Sequence, residues 1–291
     1  MNTEYLKGLI LTTLGVVVLS FDALLIRLIG AEAFDVLFWR GLLLSVAILL
    51  WYRFSPSGKK QTAASREKVI SWDAPTVRSA LLFTGSSISF VMALHLTSVA
   101  NTLVIISAQP LFAALMSRVF LGERSAPVTW VAIFLSMAGI AWVLAGSWQS
   151  ENLTGDFCAL LAGLFLSAKF VNDRAAKRNM TPGLIMSGFL VAAISFIAGQ
   201  PFSLQGDAWI WIGVLCLVVL PLAYTLITIG PMRISAAEVG MLMLLETALG
   251  PLWTWIWLSE VPGRAALEGG AVVILTLLGH SLIQWKRSVK K

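Results

Sequence analysis

The stretch LLETALGPLWTWIWLSE, residues 244–260, sets a single internal carboxylate, Glu246, inside a run of apolar and aromatic side chains. Upstream the run continues to Ala236, giving a segment of about 23 residues ending at Leu258. A helix of that length crosses a hydrocarbon core about 30 Å thick. The rest of the chain has the same character: 291 residues, 58% hydrophobic and 12% charged, with a mean hydropathy of +0.84. Such a composition belongs to an integral membrane protein. Ten apolar segments of crossing length are predicted, at 6–28, 36–52, 77–96, 99–121, 127–145, 155–171, 182–198, 208–229, 236–258 and 265–285.

The first segment lacks a basic region followed by a small-residue cleavage site, so it reads as a retained helix. Cys158 and Cys216 each stand alone in apolar sequence, as packing residues, and no Cys/His spacing suits a metal. The basic excess, 21 Lys and Arg against 15 Asp and Glu, sorts by side instead of forming a nucleic-acid surface. With the N-terminus cytoplasmic, that side receives Lys7, then Arg53, Lys59, Lys60, Arg66, Lys68 and Arg78. It also receives Arg118 and Arg124, the cluster Lys169, Arg174, Lys177 and Arg178, then Arg233 and the C-terminal Lys286, Arg287, Lys290 and Lys291. Arg27, Arg40 and Arg264 fall toward the outside. Both termini are therefore expected in the cytoplasm, with Trp51, Trp130 and Trp285 near inner helix ends and Trp39, Trp148 and Trp209 near outer ones.

The opening stretch has a counterpart. SAQPLFAALMSRVFLGE, residues 107–123, aligns on it without gaps at an offset of 137, matching Gln109 with Glu246 and Glu123 with Glu260. A second pair, LSFDALLIR (19–27) and LSAKFVNDR (166–174), aligns at an offset of 147 and carries Gly8 onto Gly155. The chain is thus a tandem duplication, residues 1–147 and 148–291, with five helices in each half. Five is odd, so the second half enters the membrane from the opposite side. The expected fold is all-α and polytopic, ten transmembrane helices as two inverted repeats, an architecture typical of secondary transporters.

The duplication, ALHLTSVANTLVIISAQPLFAALMSRVFLGE (93–123) and LLETALGPLWTWIWLSE together resemble the drug/metabolite transporter superfamily, in its EamA-type branch. The resemblance covers essentially the whole chain. It implies a multi-pass transporter of the bacterial inner membrane that exports small metabolites, amino acids foremost, without a cofactor. One departure is visible: the family often follows the ninth-helix glutamate with proline, whereas Thr247 stands here and Pro251 comes four residues later. The kink is expected a turn further on.

Glu246 falls near the bilayer centre, where a charge costs about 2.5–3.5 kcal/mol on insertion scales, and should face the interior. At about 100° per residue, Trp253 and Trp257 lie within about 20° of it, while Trp255 points elsewhere. Glu246 can hold a substrate amine or take up a proton, with Trp253 packing on apolar or cationic parts. The alternative is a hydrogen-bonded glutamate joining two helices. Gln109, with Ser98 and Thr102 on nearly the same face, forms a polar stripe that the repeat brings opposite Glu246, or else Gln109 bonds backbone freed by Pro110.

Asp22 and Lys169 are repeat mates of opposite charge, but their depths differ, so they are not expected to pair. Lys169 is expected to snorkel to the cytoplasmic surface and Asp22 to line an outer vestibule. Ser20 and Ser167, also mates, line a cavity or permit close packing. Arg40 either binds a substrate carboxylate or anchors at headgroups. Tyr224 offers a hydroxyl to substrate or to a neighbour. His95 and His280 read as packing residues, and Glu123 and Glu260 as caps of the helices that follow them.

No HExxH, GxSxG or phosphate-binding loop occurs, so an enzyme is not expected. Phosphorylated substrates would call for central Lys or Arg, whereas the most central charge is acidic. Two substrate classes remain: amino acids, whose carboxylate needs donors such as Gln109, hydroxyls and Arg40, and hydrophobic cations. Protons are a candidate coupling partner through Glu246.

Overall fold

Every predicted segment is helical in the structure, a computed structural model that describes residues 3–54, 72–122, 127–147, 152–176, 180–229 and 236–289. Glu123, Arg124, Trp148, Arg233 and the basic residues Lys59, Lys60, Arg66, Lys68, Lys177, Arg178, Lys290 and Lys291 lie outside the described residues. The first segment is two helices, α1 (Thr3–Leu19) and α2 (Asp22–Ile29), followed by α3 (Ala33–Phe54) and α4 (Ala74–Leu96). The fourth is again double, α5 (Val99–Ser107) and α6 (Gln109–Leu121). α7 (Pro127–Ser147), α8 (Leu153–Ala176) and α9 (Thr181–Ala198) come next. The eighth comprises α10 (Ala208–Gly213), a π-helical turn (Val214–Val219) and α11 (Leu220–Ile229). α12 (Ala236–Leu258) and α13 (Arg264–Val289) complete the ten. The first seven spans each have the length and hydropathy to cross a membrane, and the eighth is a shorter apolar helix over Ala208–Tyr224. With no strand among the described residues, the chain is an all-α polytopic membrane protein, as expected where backbone polar groups have no water to bond.

The interruptions have local causes. Between α1 and α2 the Ser20 hydroxyl donates to the Val17 carbonyl at 2.7 Å, competing with the helical ladder. Pro110, in the first turn of α6, has no N–H to donate, so the fourth span restarts there. Before Pro221, Leu220 N–H donates to Leu215 O, five residues back, and the helix widens into its π turn. Pro251, by contrast, lies inside an unbroken α12.

The two halves meet through small residues. On α3 and α9, a Cβ on Gly41 would stand 2.5 Å from the Gly188 carbonyl oxygen, and one on Gly188 would stand 2.6 Å from that of Gly41. These glycines are 147 residues apart and therefore repeat mates. On either side of the crossing, Ser45 Oγ donates to Ile185 O at 3.0 Å and Trp39 Nε1 to Pro201 O at 2.7 Å. Along α3 the partner numbers fall as its own rise, so the helices are antiparallel. A residue touching its own mate on an antiparallel helix lies on a two-fold axis that runs across the helices, in the membrane plane. The repeats are inverted. Gly139 of α7 and Gly269 of α13 form a similar reciprocal crossing, at 2.9 and 2.6 Å, with Thr129 Oγ1 and His280 Nε2 3.0 Å apart. Likewise α4 packs along α8 and α1 along α11, contacts that the repeat exchanges. Apolar side chains such as Val131, Phe134, Ile197 and Leu275 cover the outside, where they meet lipid.

Candidate substrate site

Asp22 opens α2, where unpaired N–H groups favour an anion. Arg40, about two turns into α3, grips it: Nη2 donates to Oδ2 at 2.8 Å and Nη1 to Oδ1. Both side chains are buried, 5% and 7% exposed, and the guanidinium also lies 5.7 Å from the Phe90 ring centroid. Arg40 is thus buried and engaged, and Asp22 is satisfied by it. Lys169 does not pair with Asp22. Its ammonium donates to Asp173 at 2.6 Å and lies over Phe83 and Phe170, half-buried among them.

Around this ion pair stand the other groups. Arg40 and Tyr224 line one cavity, and Glu246 of α12 is near enough to interact electrostatically with Asp22, Arg40 and Tyr224. Trp253 donates its Nε1 to Ser20 Oγ at 2.9 Å and stacks on Phe21, centroids 4.8 Å apart and planes 13° apart. Ser20 and Trp253 thereby tie the α1–α2 break to α12. Trp257 touches Trp253 edge-on at 6.2 Å but is exposed, so the aromatic stripe turns outward there.

The cavity is narrow and lined by Arg40, Gly41 and Leu44 of α3, Phe83 and Ser87 of α4, Leu184, Ser187, Gly188 and Val191 of α9, and Tyr224. At the offset of 147, Arg40, Gly41 and Leu44 map onto Ser187, Gly188 and Val191; at 137, Ser87 maps onto Tyr224. Eight of the ten lining residues are therefore mates of one another. The cavity straddles the two-fold axis between the halves. Sequence reasoning missed Ser87, Ser187 and the paired glycines, although extending the 147 offset through the second helix finds three of these four.

The other expected residues lie elsewhere. Thr102 is fully buried and donates to Ser98 O in its own helix at 3.0 Å. Ser167 Oγ lies 2.7 Å from Gly163 O and 3.0 Å from the backbone oxygen of Gln109, holding α8 against the start of α6. Gln109 itself is half-buried there. None of these three is among the residues lining the cavity, and neither are Asp22, Ser20, Glu246 and Trp253; of the expected residues, Arg40 and Tyr224 line it.

One end of the bundle carries a polar lattice. Arg27 Nη2 donates to Thr97 O at 2.7 Å, and its Nε lies 3.4 Å from Glu260 Oε2. The other oxygen of Glu260 accepts Val99 N–H at 2.7 Å. Glu260 therefore caps α5 and not, as expected, the helix that follows it. Asp156 of α8 accepts Thr97 Oγ1 at 2.6 Å and Asn101 Nδ2 at 3.1 Å.

The duplication seen in the geometry is matched by comparison with known proteins: residues 6–145 and 153–282 each match the EamA-like transporter family. The chain belongs to the EamA-like transporter family. The family is one of membrane transporters of small molecules. Among similar proteins, the "Uncharacterized transporter YdfC" of Bacillus subtilis (strain 168) is 22% identical over 178 residues, covering 58% of each chain. "Solute carrier family 35 member F6" of Mus musculus is 27% identical over 176 residues, 53% of this chain and 47% of that one. The chain thus matches about half the length of these curated relatives. A solved chain described only as a protein crystal structure shares the fold, with a TM-score of 0.65, 19% identity and coverage of 95% of this chain and 98% of its own.

Proposed function

We propose that the chain is a secondary transporter of small amine-bearing organic solutes, organic cations in particular, working by alternating access. Its halves, residues 1–147 and 148–291, rock about the Gly41–Gly188 crossing while the solute sits in the cavity beside Tyr224, within electrostatic reach of Glu246. The supporting observation is the cavity lined by mates from both repeats, since a site on the axis looks alike to the two halves. With the basic loops kept inside, both termini are cytoplasmic, the membrane is a bacterial inner membrane and export is the net direction.

The choice of cation rests on which groups are already engaged. Amino acids need donors for a carboxylate. Both terminal nitrogens of Arg40 serve Asp22, and Ser187 Oγ donates to Leu184 O at 2.7 Å. Glu246 is left as an acceptor for positive charge, with the Trp253 ring near the same face. Transport into proteoliposomes tests this. Lipophilic quaternary ammonium compounds are expected to compete with the transported solute and amino acids are not, and Glu246→Gln is expected to lower transport by about tenfold or more. Unchanged transport by Glu246→Gln, across a pH series, would remove Glu246 from the site. Loss of the pH dependence alone would mark it as a proton carrier.

A further inference from the structure

We propose that Asp22 is the residue that sets charge selectivity, by occupying the guanidinium of Arg40, a residue that lines the cavity. This rests on the cation reading above and gives it a cause. Arg40 lines the cavity while Asp22 is not among its lining residues, so the acid holds the base from behind. A guanidinium presents a planar fork that suits a carboxylate with two parallel hydrogen bonds. Asp22 makes that pair of bonds. An incoming solute carboxylate must displace a partner tethered on the adjacent helix, whose effective concentration far exceeds that of a dissolved competitor. Neither side chain is wet enough for water to take over the displaced bonds.

The duplication isolates this pair as a device of one half. The mate of Arg40 is Ser187 and the mate of Asp22 is Lys169, and Lys169 has its own partner in Asp173. Packing inherited from the ancestral repeat does not require an Asp–Arg pair, because the other half manages without one. With Arg40 neutralised by Asp22, Glu246 is the carboxyl group left over among the three. An ammonium finds an acceptor there, whereas a zwitterion's carboxylate must compete with Asp22 for Arg40.

The matched pair phenethylamine and phenylalanine, which differ only in the carboxylate, reads this directly as competitors of cation transport in proteoliposomes. In the wild-type protein phenethylamine is expected to compete more strongly by about tenfold or more. Asp22→Asn is expected to bare the Arg40 charge and narrow that gap about tenfold, phenylalanine gaining. The double variant Asp22→Asn with Arg40→Gln, neutral throughout, is expected to restore the wild-type gap. Transport by Asp22→Asn with the gap unchanged overturns the proposal. If Asp22→Asn does not reconstitute, the double variant decides: a kept gap supports masking of Arg40, and a lost gap overturns it. A wild-type protein that takes both compounds equally refutes the cation reading itself, before any variant is compared.

Discussion

Gly41 and Gly188, 147 residues apart in sequence, press backbone against backbone, each leaving 2.5–2.6 Å between a would-be Cβ and the other's carbonyl oxygen. A methyl group cannot enter that space unless α3 and α9 separate. Gly41→Ala and Gly188→Ala are each expected to destabilise by about 1–3 kcal/mol, the usual range for overpacking. Transport should fall with them, because the crossing is the axis of the proposed rocking motion. Gly279→Ala on α13 is the control: nothing lies within 4 Å of its would-be Cβ, so it should be neutral or stabilising. Thermal unfolding in detergent and transport in proteoliposomes check both. A Gly188→Ala protein that melts with the wild type would contradict the tight crossing.

Glu260 does two things at once, capping Val99 N–H and facing Arg27. Glu260→Gln keeps an oxygen for the cap and loses the ion pair, whereas Glu260→Ala loses both. The pair is a quarter exposed on each side, so its share is below about 1 kcal/mol, while a lost cap costs about 1 kcal/mol. Glu260→Ala is therefore expected to lower the melting temperature more than Glu260→Gln. Raising the salt should shrink the difference between wild type and Glu260→Gln. Equal shifts for the two variants would show that the cap contributes nothing.

Asp156 is fully buried and accepts from both Thr97 and Asn101, joining the second half to the start of α5. Asp156→Asn turns an amide toward the amide of Asn101, two donors face to face. The expected loss is about 1.5–3 kcal/mol, the range for hydrogen bonds to a charged group. Asn101→Asp on the Asp156→Asn background swaps the acceptor to the other side and should recover part of it. A double variant no more stable than Asp156→Asn would argue that the Asn101 contact is incidental.

Spans and duplication were legible because both are written in runs: hydropathy over about 20 residues, and identities at a fixed offset. What was not legible depends on pairs. Asp22 was compared with Lys169, its mate in the repeat, yet its partner sits across a helix hairpin. Asp22 lies nine residues before Ala31 and Arg40 nine after it, so two antiparallel helices joined there hold them at one depth. That equality was in the sequence and needed only the turn to be located. Glu260 was assigned to the helix that follows it, as chain order suggests. It reaches α5 instead because α5 and α12 are antiparallel neighbours, a fact of the repeat and not of the chain. The Ser20 break had no such warning, since one serine in an apolar run does not by itself end a helix.

Trp253 and Ser20 give the sharpest energetic test of the candidate site. The indole N–H donates to Ser20 Oγ at 2.9 Å, and Ser20 Oγ donates in turn to Val17 O. Ser20→Ala leaves the indole N–H without its acceptor in a dry setting, at an expected loss of about 1–3 kcal/mol. Trp253→Phe deletes that donor and keeps a ring able to stack on Phe21. Its loss should be that of a smaller ring. In the double variant no donor is stranded, so it should be more stable than the sum of the single losses, by about 0.5–3 kcal/mol of coupling. Melting temperatures of the four proteins close this cycle. Strict additivity would mean that the hydrogen bond does not join α12 to the α1–α2 break, and Trp253 would then act in the site through its ring alone.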